Sequence, residues 1–190
     1  MKKKAIAVFI SGRGSNLKSI IDACNDIYFP GFISIVISDN KNALGLEYAK
    51  KDNISYKVFE ISKFESKDQF EEAILNELKD RNIKLICLAG YMKILSKNFI
   101  KDFKNKIINI HPSLLPKFKG LNTHERVIES SEVKSGCTVH YVEESLDGGE
   151  IIKQMDLDIM KDDTPQKLSE RILKLEHKLY PDVIKKILMK

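Results

Sequence analysis

Ala5-Ile-Ala-Val-Phe-Ile-Ser-Gly-Arg-Gly-Ser-Asn-Leu-Lys-Ser-Ile-Ile-Asp-Ala-Cys-Asn25 is the stretch that decides the fold class. Residues 5–10 are apolar without a break, which reads as a buried strand. Residues 16–25 then place Leu17, Ile20, Ile21 and Cys24 at spacings of three and four, one face of a helix. A strand, a glycine-bearing turn and a helix in that order open an α/β fold.

The alternation continues outward from there. Strands are expected at residues 32–38, 56–59, 85–89 and 106–110, and a short helix at 44–51. The best-signalled helix is 66–82: Ser66 and Gln69 form a capping box, and Phe70, Ala73, Ile74, Glu77 and Leu78 follow helical spacing. After a long loop, residues 137–142 and 151–159 read as two strands joined by a short connection holding Asp147-Gly-Gly149, which makes them antiparallel neighbours. Thr164-Pro165 is a cap with proline at the first helical position. Pro181 is expected to kink or restart the C-terminal helix near Tyr180. No repeat, linker or low-complexity tract interrupts the 190 residues, so a single domain is expected, with a mostly parallel sheet flanked by helices.

Bulk properties narrow the class. A net charge of +5 suits anionic ligands, although a lysine-rich solvated surface explains it equally, and the lysines form no dense basic block of the kind that grips nucleic acid. Three cysteines, Cys24, Cys87 and Cys137, are odd in number and far apart, which supports neither a disulfide framework nor a zinc knuckle. Cys137 reads as a packing residue. Met1-Lys-Lys-Lys4 before an apolar run imitates a signal peptide, but the run has six residues and no small-residue cleavage site follows. No apolar stretch nears the ~20 residues that span a bilayer. The expectation is a cytoplasmic protein with no membrane and no nucleic-acid partner.

Ser11-Gly-Arg-Gly-Ser-Asn16 joins the first strand to the first helix. Unpaired N–H groups and the positive dipole end of a helix bind anions there, and Gly12 and Gly14 let backbone come close to a phosphate. The loop lacks the Gly-Lys-Ser/Thr of a Walker motif, and Leu17 stands where a dinucleotide fingerprint needs its third glycine. Two readings stand: a phosphate site, or a tight turn capped by Ser15 or Asn16. The place after strand one of an α/β sheet favours the phosphate site.

Asn109-Ile-His-Pro-Ser-Leu-Leu-Pro116 and Leu146-Asp-Gly-Gly149 carry the chemistry. Asn109 and His111 are two apart at a strand end, so both leave one face, and Pro112 stops the ladder. An amide donor, an imidazole and a carboxylate near a Gly-Gly turn suit acyl transfer. Singly, each has a plainer explanation: a loop histidine, a strand-end amide, a turn aspartate. His140, alternating with Thr138, reads as structural or supporting, His124 as the exposed start of a helix, and His177 as partly buried on the last helix. No metal site is visible.

Taken in order, Gly14-Ser-Asn16, Leu88-Ala-Gly-Tyr-Met92, Asn109-Ile-His-Pro-Ser-Leu-Leu-Pro116, Gly136-Cys-Thr-Val-His140, Leu146-Asp-Gly-Gly149 and Glu176-His177 resemble the phosphoribosylglycinamide formyltransferases, folate-dependent enzymes of purine biosynthesis. The resemblance runs along essentially the whole chain. It implies a Rossmann-like formyltransferase fold with a seven-stranded, mostly parallel sheet, its N-terminal half binding the nucleotide and its C-terminal half binding folate and carrying the catalysis. It implies that Asn109, His111 and Asp147 are catalytic. Gly14, Ser15 and Asn16 would hold the phosphate of glycinamide ribonucleotide, with Glu176 at its ribose or glycinamide end. Lys67, Met92, Lys93, Ile94, Leu95, Thr138 and His140 would flank the folate. The co-substrate implied is 10-formyltetrahydrofolate, with no metal.

Two features depart from the family. Lys67 and Lys93 stand where familiar members carry arginine beside the folate tail, and lysine loses the planar fork that grips carboxylates. The chain also ends at Lys190, slightly early for the family. Two rival readings are weighed against this one. A methionyl-tRNA type of formyltransferase shares the Asn-x-His-Pro-Ser-Leu-Leu-Pro and Asp elements but is expected to need an added RNA-gripping domain. A non-catalytic nucleotide-binding domain of ordinary Rossmann type explains the glycine loop, but not Asn109, His111 and Asp147 together.

Overall fold

The computed structural model describes residues 2–190. Its strands are β1 (Lys4–Ile10), β2 (Gly31–Ser38), β3 (Tyr56–Val58), β4 (Leu85–Leu88), β5 (Ile107–His111), β6 (Lys134–Tyr141) and β7 (Ile151–Asp158). They form one sheet in the order β3-β2-β1-β4-β5-β6-β7. Pairing is parallel from β3 through β5, then antiparallel from β5 to β6 and from β6 to β7. The α/β class, the mostly parallel sheet and the antiparallel C-terminal pair are as the sequence leads one to expect.

Helices α1 (Ser15–Cys24), α2 (Gly45–Lys51), α3 (Lys67–Leu78), α4 (Lys97–Asp102), α5 (Thr123–Ile128) and α6 (Pro165–Met189) cover the sheet. The continuous apolar run of β1 follows from burial on both faces. Ile6, Val8 and Ile10 pack with Leu17 and Ile20 of α1 and with Ile172, Tyr180 and Ile184 of α6. Ala5, Ala7 and Phe9 turn the other way, toward Phe70 and Ile74 of α3 and Phe99 of α4. The fully buried Tyr180 hydroxyl donates to the carbonyls of Leu88 (2.9 Å) and Ile108 (3.1 Å), tying α6 to two central strands.

Several local expectations need correction. Pro181 does not restart the C-terminal helix, which is one element over 25 residues with Pro181 inside it. Buried Leu179, Tyr180, Val183 and Ile184 on both sides of the proline hold the helix to the sheet despite the lost hydrogen bond. In the capping box, Ser66 accepts from Gln69 N (3.2 Å) as expected, but the Gln69 side chain takes the N–H of Glu65, not that of Ser66 (3.2 Å). The α-helix there stops at Leu78 and tightens into a 3₁₀ turn at Lys79–Arg81. The six-residue α4 carries too little periodicity to stand out in the sequence.

The site follows from the strand order. β1 lies between β2 and β4, so the chain leaves β1 and β4 toward opposite sides and a crevice opens outside their C-terminal ends. Two hydrogen bonds hold the adjoining loops together: Ser11 N to Gly90 O (3.1 Å) and Met92 N to Ser11 Oγ (2.8 Å).

Candidate functional site

The crevice is a cavity of about 760 Å³, in the upper part of the usual ~300–1,000 Å³ range for ligand sites. Asn109, His111, His140 and Asp147 line one part of it, Gly14, Ser15, Asn16 and Glu176 another, and Met92, Lys93, Ile94 and Leu95 a third.

On β5 the face that begins with Ile107 in the α3/α4 core continues as Asn109 and His111. The antiparallel register sets Asn109 opposite His140 and His111 opposite Thr138. Asp147 arrives from the β6–β7 connection in the left-handed region (φ 47°), a conformation that aspartate tolerates better than most residues. Its Oδ2 accepts the N–H of Gly120 at 2.8 Å and lies 3.4 Å from His111 Nδ1. Its Oδ1 lies 3.7 Å from His140 Nε2. One carboxylate thus stands against two buried imidazoles.

The hydrogen bonds assign the proton positions. His140 Nδ1 is 2.8 Å from the Tyr141 carbonyl, so that nitrogen carries the proton. Burial, the largest influence on His140, pushes its pKa down, so the ring is held neutral and Nε2 is an acceptor. Asn109 Nδ2 faces that acceptor at 3.3 Å, which fixes which way the amide points. His111 differs: Nε2 lies 2.9 Å from the Phe118 carbonyl while Nδ1 faces Asp147. Both of its nitrogens meet oxygen acceptors, so a ring with two N–H donors satisfies both and a ring with one satisfies only one. His140 therefore supports the site as well as the strand, since its Nε2 sets the direction of the Asn109 amide.

The glycine loop holds its residues in ways the sequence did not disclose. Neither Ser15 nor Asn16 caps α1. The N-cap is Gly14 itself, at φ 74° with no side-chain cap bond, which leaves the first N–H groups of the helix open. A Cβ on Gly14 would lie 2.4 Å from Gly45 Cα, so this glycine is required by the close approach of α2. Gly12, by contrast, has nothing within 4 Å of a built Cβ, and it too lines the cavity. Asn16 Nδ2 donates to Glu176 Oε2 at 2.7 Å, bridging α1 and α6, while Asn16 Oδ1 is buried without a partner. Burial is the main cause that lifts the Glu176 carboxyl to about 7.

On the third side, Met92 and Ile94 are exposed and Leu95 is buried. Lys93 lines the cavity with its ammonium 3.8 Å from Asp39, and Lys67 lies off the cavity, 3.8 Å from the buried Glu71. Thr138 does not reach the cavity either. The loop after Pro112 folds over it, and its hydroxyl bonds with Ser113 O (2.6 Å) and Leu115 N (3.1 Å). Arg13, between the two glycines, lines the cavity and lies close enough to Glu176 to counter the rise in its pKa; the interest of its glycine neighbours hid it in the sequence. His124, expected to be exposed, is half-buried at the start of α5, lines the cavity and has an unpartnered Nδ1.

Among the described residues, no group of three or more His, Cys, Asp or Glu side chains is placed to hold a metal ion. The three thiols are free, and burial pushes Cys24 and Cys137 up to about 12 and Cys87 well up, so none is an activated nucleophile. No helix among the described residues is long and apolar enough to cross a membrane.

Known proteins share this architecture. The family described as "Formyl transferase" matches residues 4–184. The chain is 45% identical over 182 residues to phosphoribosylglycinamide formyltransferase of Haemophilus influenzae, covering 96% of this chain and 86% of that one. It is 42% identical over 180 residues to the trifunctional purine biosynthetic protein adenosine-3 of Homo sapiens, covering 95% of this chain and 18% of that longer protein. The crystal structure of phosphoribosylglycinamide formyltransferase from Brucella melitensis matches with a TM-score of 0.96 at 42% identity, over 100% of this chain and 97% of that one.

Proposed function

The chain belongs to the formyl transferase family, and we propose that, like its phosphoribosylglycinamide relatives, it moves a formyl group from 10-formyltetrahydrofolate to the amine of glycinamide ribonucleotide. The observation that carries this reading is the meeting of Asn109, His111 and Asp147, from two segments far apart in the chain, in a cavity that also holds the open start of α1.

The residues fit both substrates. The free N–H groups of α1, with Arg13 beside them, suit the phosphate. The unpartnered Asn16 Oδ1 and the carboxyl of Glu176 suit the hydroxyl or amide hydrogens farther along the nucleotide. Met92, Ile94 and Leu95 give apolar walls for the flat ring of the co-substrate.

Transfer requires the glycinamide nitrogen to bond to the formyl carbon while the bond from that carbon to the folate nitrogen breaks. Holding both molecules in one cavity supplies the proximity. The second N–H of the Asn109 amide, beside the His111 ring, stabilises the oxygen of the tetrahedral intermediate as it gains charge. Asp147 orients His111 and, through water, helps pass the amine proton to the departing folate nitrogen. No side chain needs to form a covalent intermediate.

The deciding experiment measures formyl transfer to glycinamide ribonucleotide and to initiator tRNA side by side. Turnover with the ribonucleotide alone is expected. Turnover confined to the tRNA, or with neither, would overturn the reading.

A further inference from the structure

We infer that Gln154, on edge strand β7, is a positioning residue for His111. The inference rests on the proposed catalytic role of His111 and concerns what aims that imidazole. The register puts His111, Thr138 and Gln154 in one row across β5, β6 and β7, so all three side chains leave the same face of the sheet. The loop from Pro112 to Phe118 crosses over this row, and Gln154 and Thr138 hold it down.

Gln154 Nε2 donates to Leu115 O at 2.9 Å and to Thr138 Oγ1 at 2.8 Å, which uses both of its N–H groups. Thr138 Oγ1 also accepts from Leu115 N (3.1 Å) and donates to Ser113 O (2.6 Å), so its one proton and both lone pairs are engaged. Leu115 is thus held at its N–H and at its carbonyl. Farther along the loop, Ser113 Oγ donates to Lys117 O at 2.7 Å, closing the turn that delivers Phe118 in a left-handed conformation (φ 55°). The Phe118 carbonyl is the oxygen that receives His111 Nε2 at 2.9 Å. His111 is held on its other side by Asp147 alone. An imidazole held by two acceptors is aimed only if both are fixed, and Gln154 fixes the loop that carries one of them.

Gln154→Met keeps length and volume but removes both donors. Its counterpart is Leu157→Ala, on the same strand but the opposite face, half-buried against the α1/α6 core and away from the loop. Both proteins are to be compared with wild type by steady-state kinetics and by NMR of the His111 Nε2–H proton. Expected for Gln154→Met is a kcat lower by about 10- to 100-fold, the range that follows small misplacement of a reacting group, with KM for both substrates nearly unchanged. The Nε2–H resonance should exchange faster or vanish. Leu157→Ala should lower Tm and leave kcat and that resonance in place. An unchanged resonance in Gln154→Met, or a kcat loss no larger than in Leu157→Ala, would overturn the inference. His111→Ala separates it from the parent reading: full turnover there would remove His111 from catalysis, whatever Gln154→Met does to the resonance.

Discussion

Asn109 and His140 face each other across β5 and β6, and the carbonyl of Tyr141 decides how they meet. By accepting a hydrogen bond from His140 Nδ1–H, that carbonyl leaves Nε2 as an acceptor 3.3 Å from Asn109 Nδ2. The pKa of His140 is depressed, chiefly by burial. For a histidine depressed in the folded state, the stabilising contribution is present above the unfolded value and is lost as pH falls through the folded one. Protonation would also set an N–H against the Asn109 amide. In His140→Gln, an oxygen can still accept from Asn109 but does not titrate. The acid limb of the kcat profile should therefore be shallower in His140→Gln than in wild type. Identical limbs would show that His140 does not set the amide.

Asp147→Asn and His111→Ala should each lower kcat by on the order of 10²-fold or more, with smaller changes in substrate affinity. The asparagine of the first variant can keep both the left-handed backbone and the bond from Gly120 N, so the loss reports charge and not a collapsed loop. Near-normal turnover in either purified protein would exclude that residue from the mechanism.

The two glycines of the first loop should separate stability from binding. Gly14→Ala puts a side chain into a left-handed position, at roughly 1–2 kcal/mol, and drives it into Gly45. It should lower Tm sharply. Gly12→Ala has open space around it and should fold normally, yet on the proposed phosphate site its methyl should hinder close approach of the ligand to the loop backbone. Calorimetry should find weaker glycinamide ribonucleotide binding in Gly12→Ala and unchanged folate binding. A loss confined to folate would place the two substrates the other way round.

Glu176 should leave a signature in stability against pH. Its carboxyl is raised from 4.5 to about 7, so the folded state holds this proton better than the unfolded chain. That contribution is full below about 4.5 and is lost as pH rises through 7. Over the full shift it amounts to roughly 3 kcal/mol. Denaturant melts of wild type and Glu176→Gln at about pH 5 and pH 8, on either side of most of that window, should show the variant gaining on wild type at the higher pH. Parallel behaviour of the two proteins at both pH values would mean that the carboxyl is not held in a dry environment.

What could be read in the sequence and what could not divide along a physical line. The strands were legible because a parallel sheet buried on both faces needs unbroken apolar runs, as in residues 5–10. The pairing of Asn109 with His111 was legible because strand period alone puts them on one face. The place of Thr138 was not, because the loop that covers it is held by bonds to residues 23 to 39 positions away, which no local pattern encodes. The reason for Gly14 was hidden likewise: it lies in Gly45, on another helix. That α6 runs through Pro181 without restarting was not legible, because local propensity argues for a new start there and burial of α6 overrides it.

Lys93, which lines the cavity, and Lys67, which lies off it, give a prediction particular to this chain. Neither is a free cation: Lys93 lies 3.8 Å from Asp39, and Lys67 lies 3.8 Å from Glu71. A carboxylate tail reaching Lys93 must therefore share it with Asp39, whose Oδ2 faces the ammonium and whose Oδ1 is buried without a partner. Asp39→Asn keeps the shape and removes the competing charge. It should lower the folate KM at low salt and leave kcat unchanged. Lys93→Arg should also lower that KM, since a guanidinium has donors enough for Asp39 and a tail together. Exposed pairs of this kind contribute only ~0.2–1 kcal/mol and are screened by salt, so both gains should be within severalfold and should shrink as ionic strength rises. The measurement is folate KM at low and high salt in wild type, Asp39→Asn and Lys93→Arg. A KM that is the same in every one of these conditions would mean that Lys93 does not read the tail and that Asp39 does not restrain it.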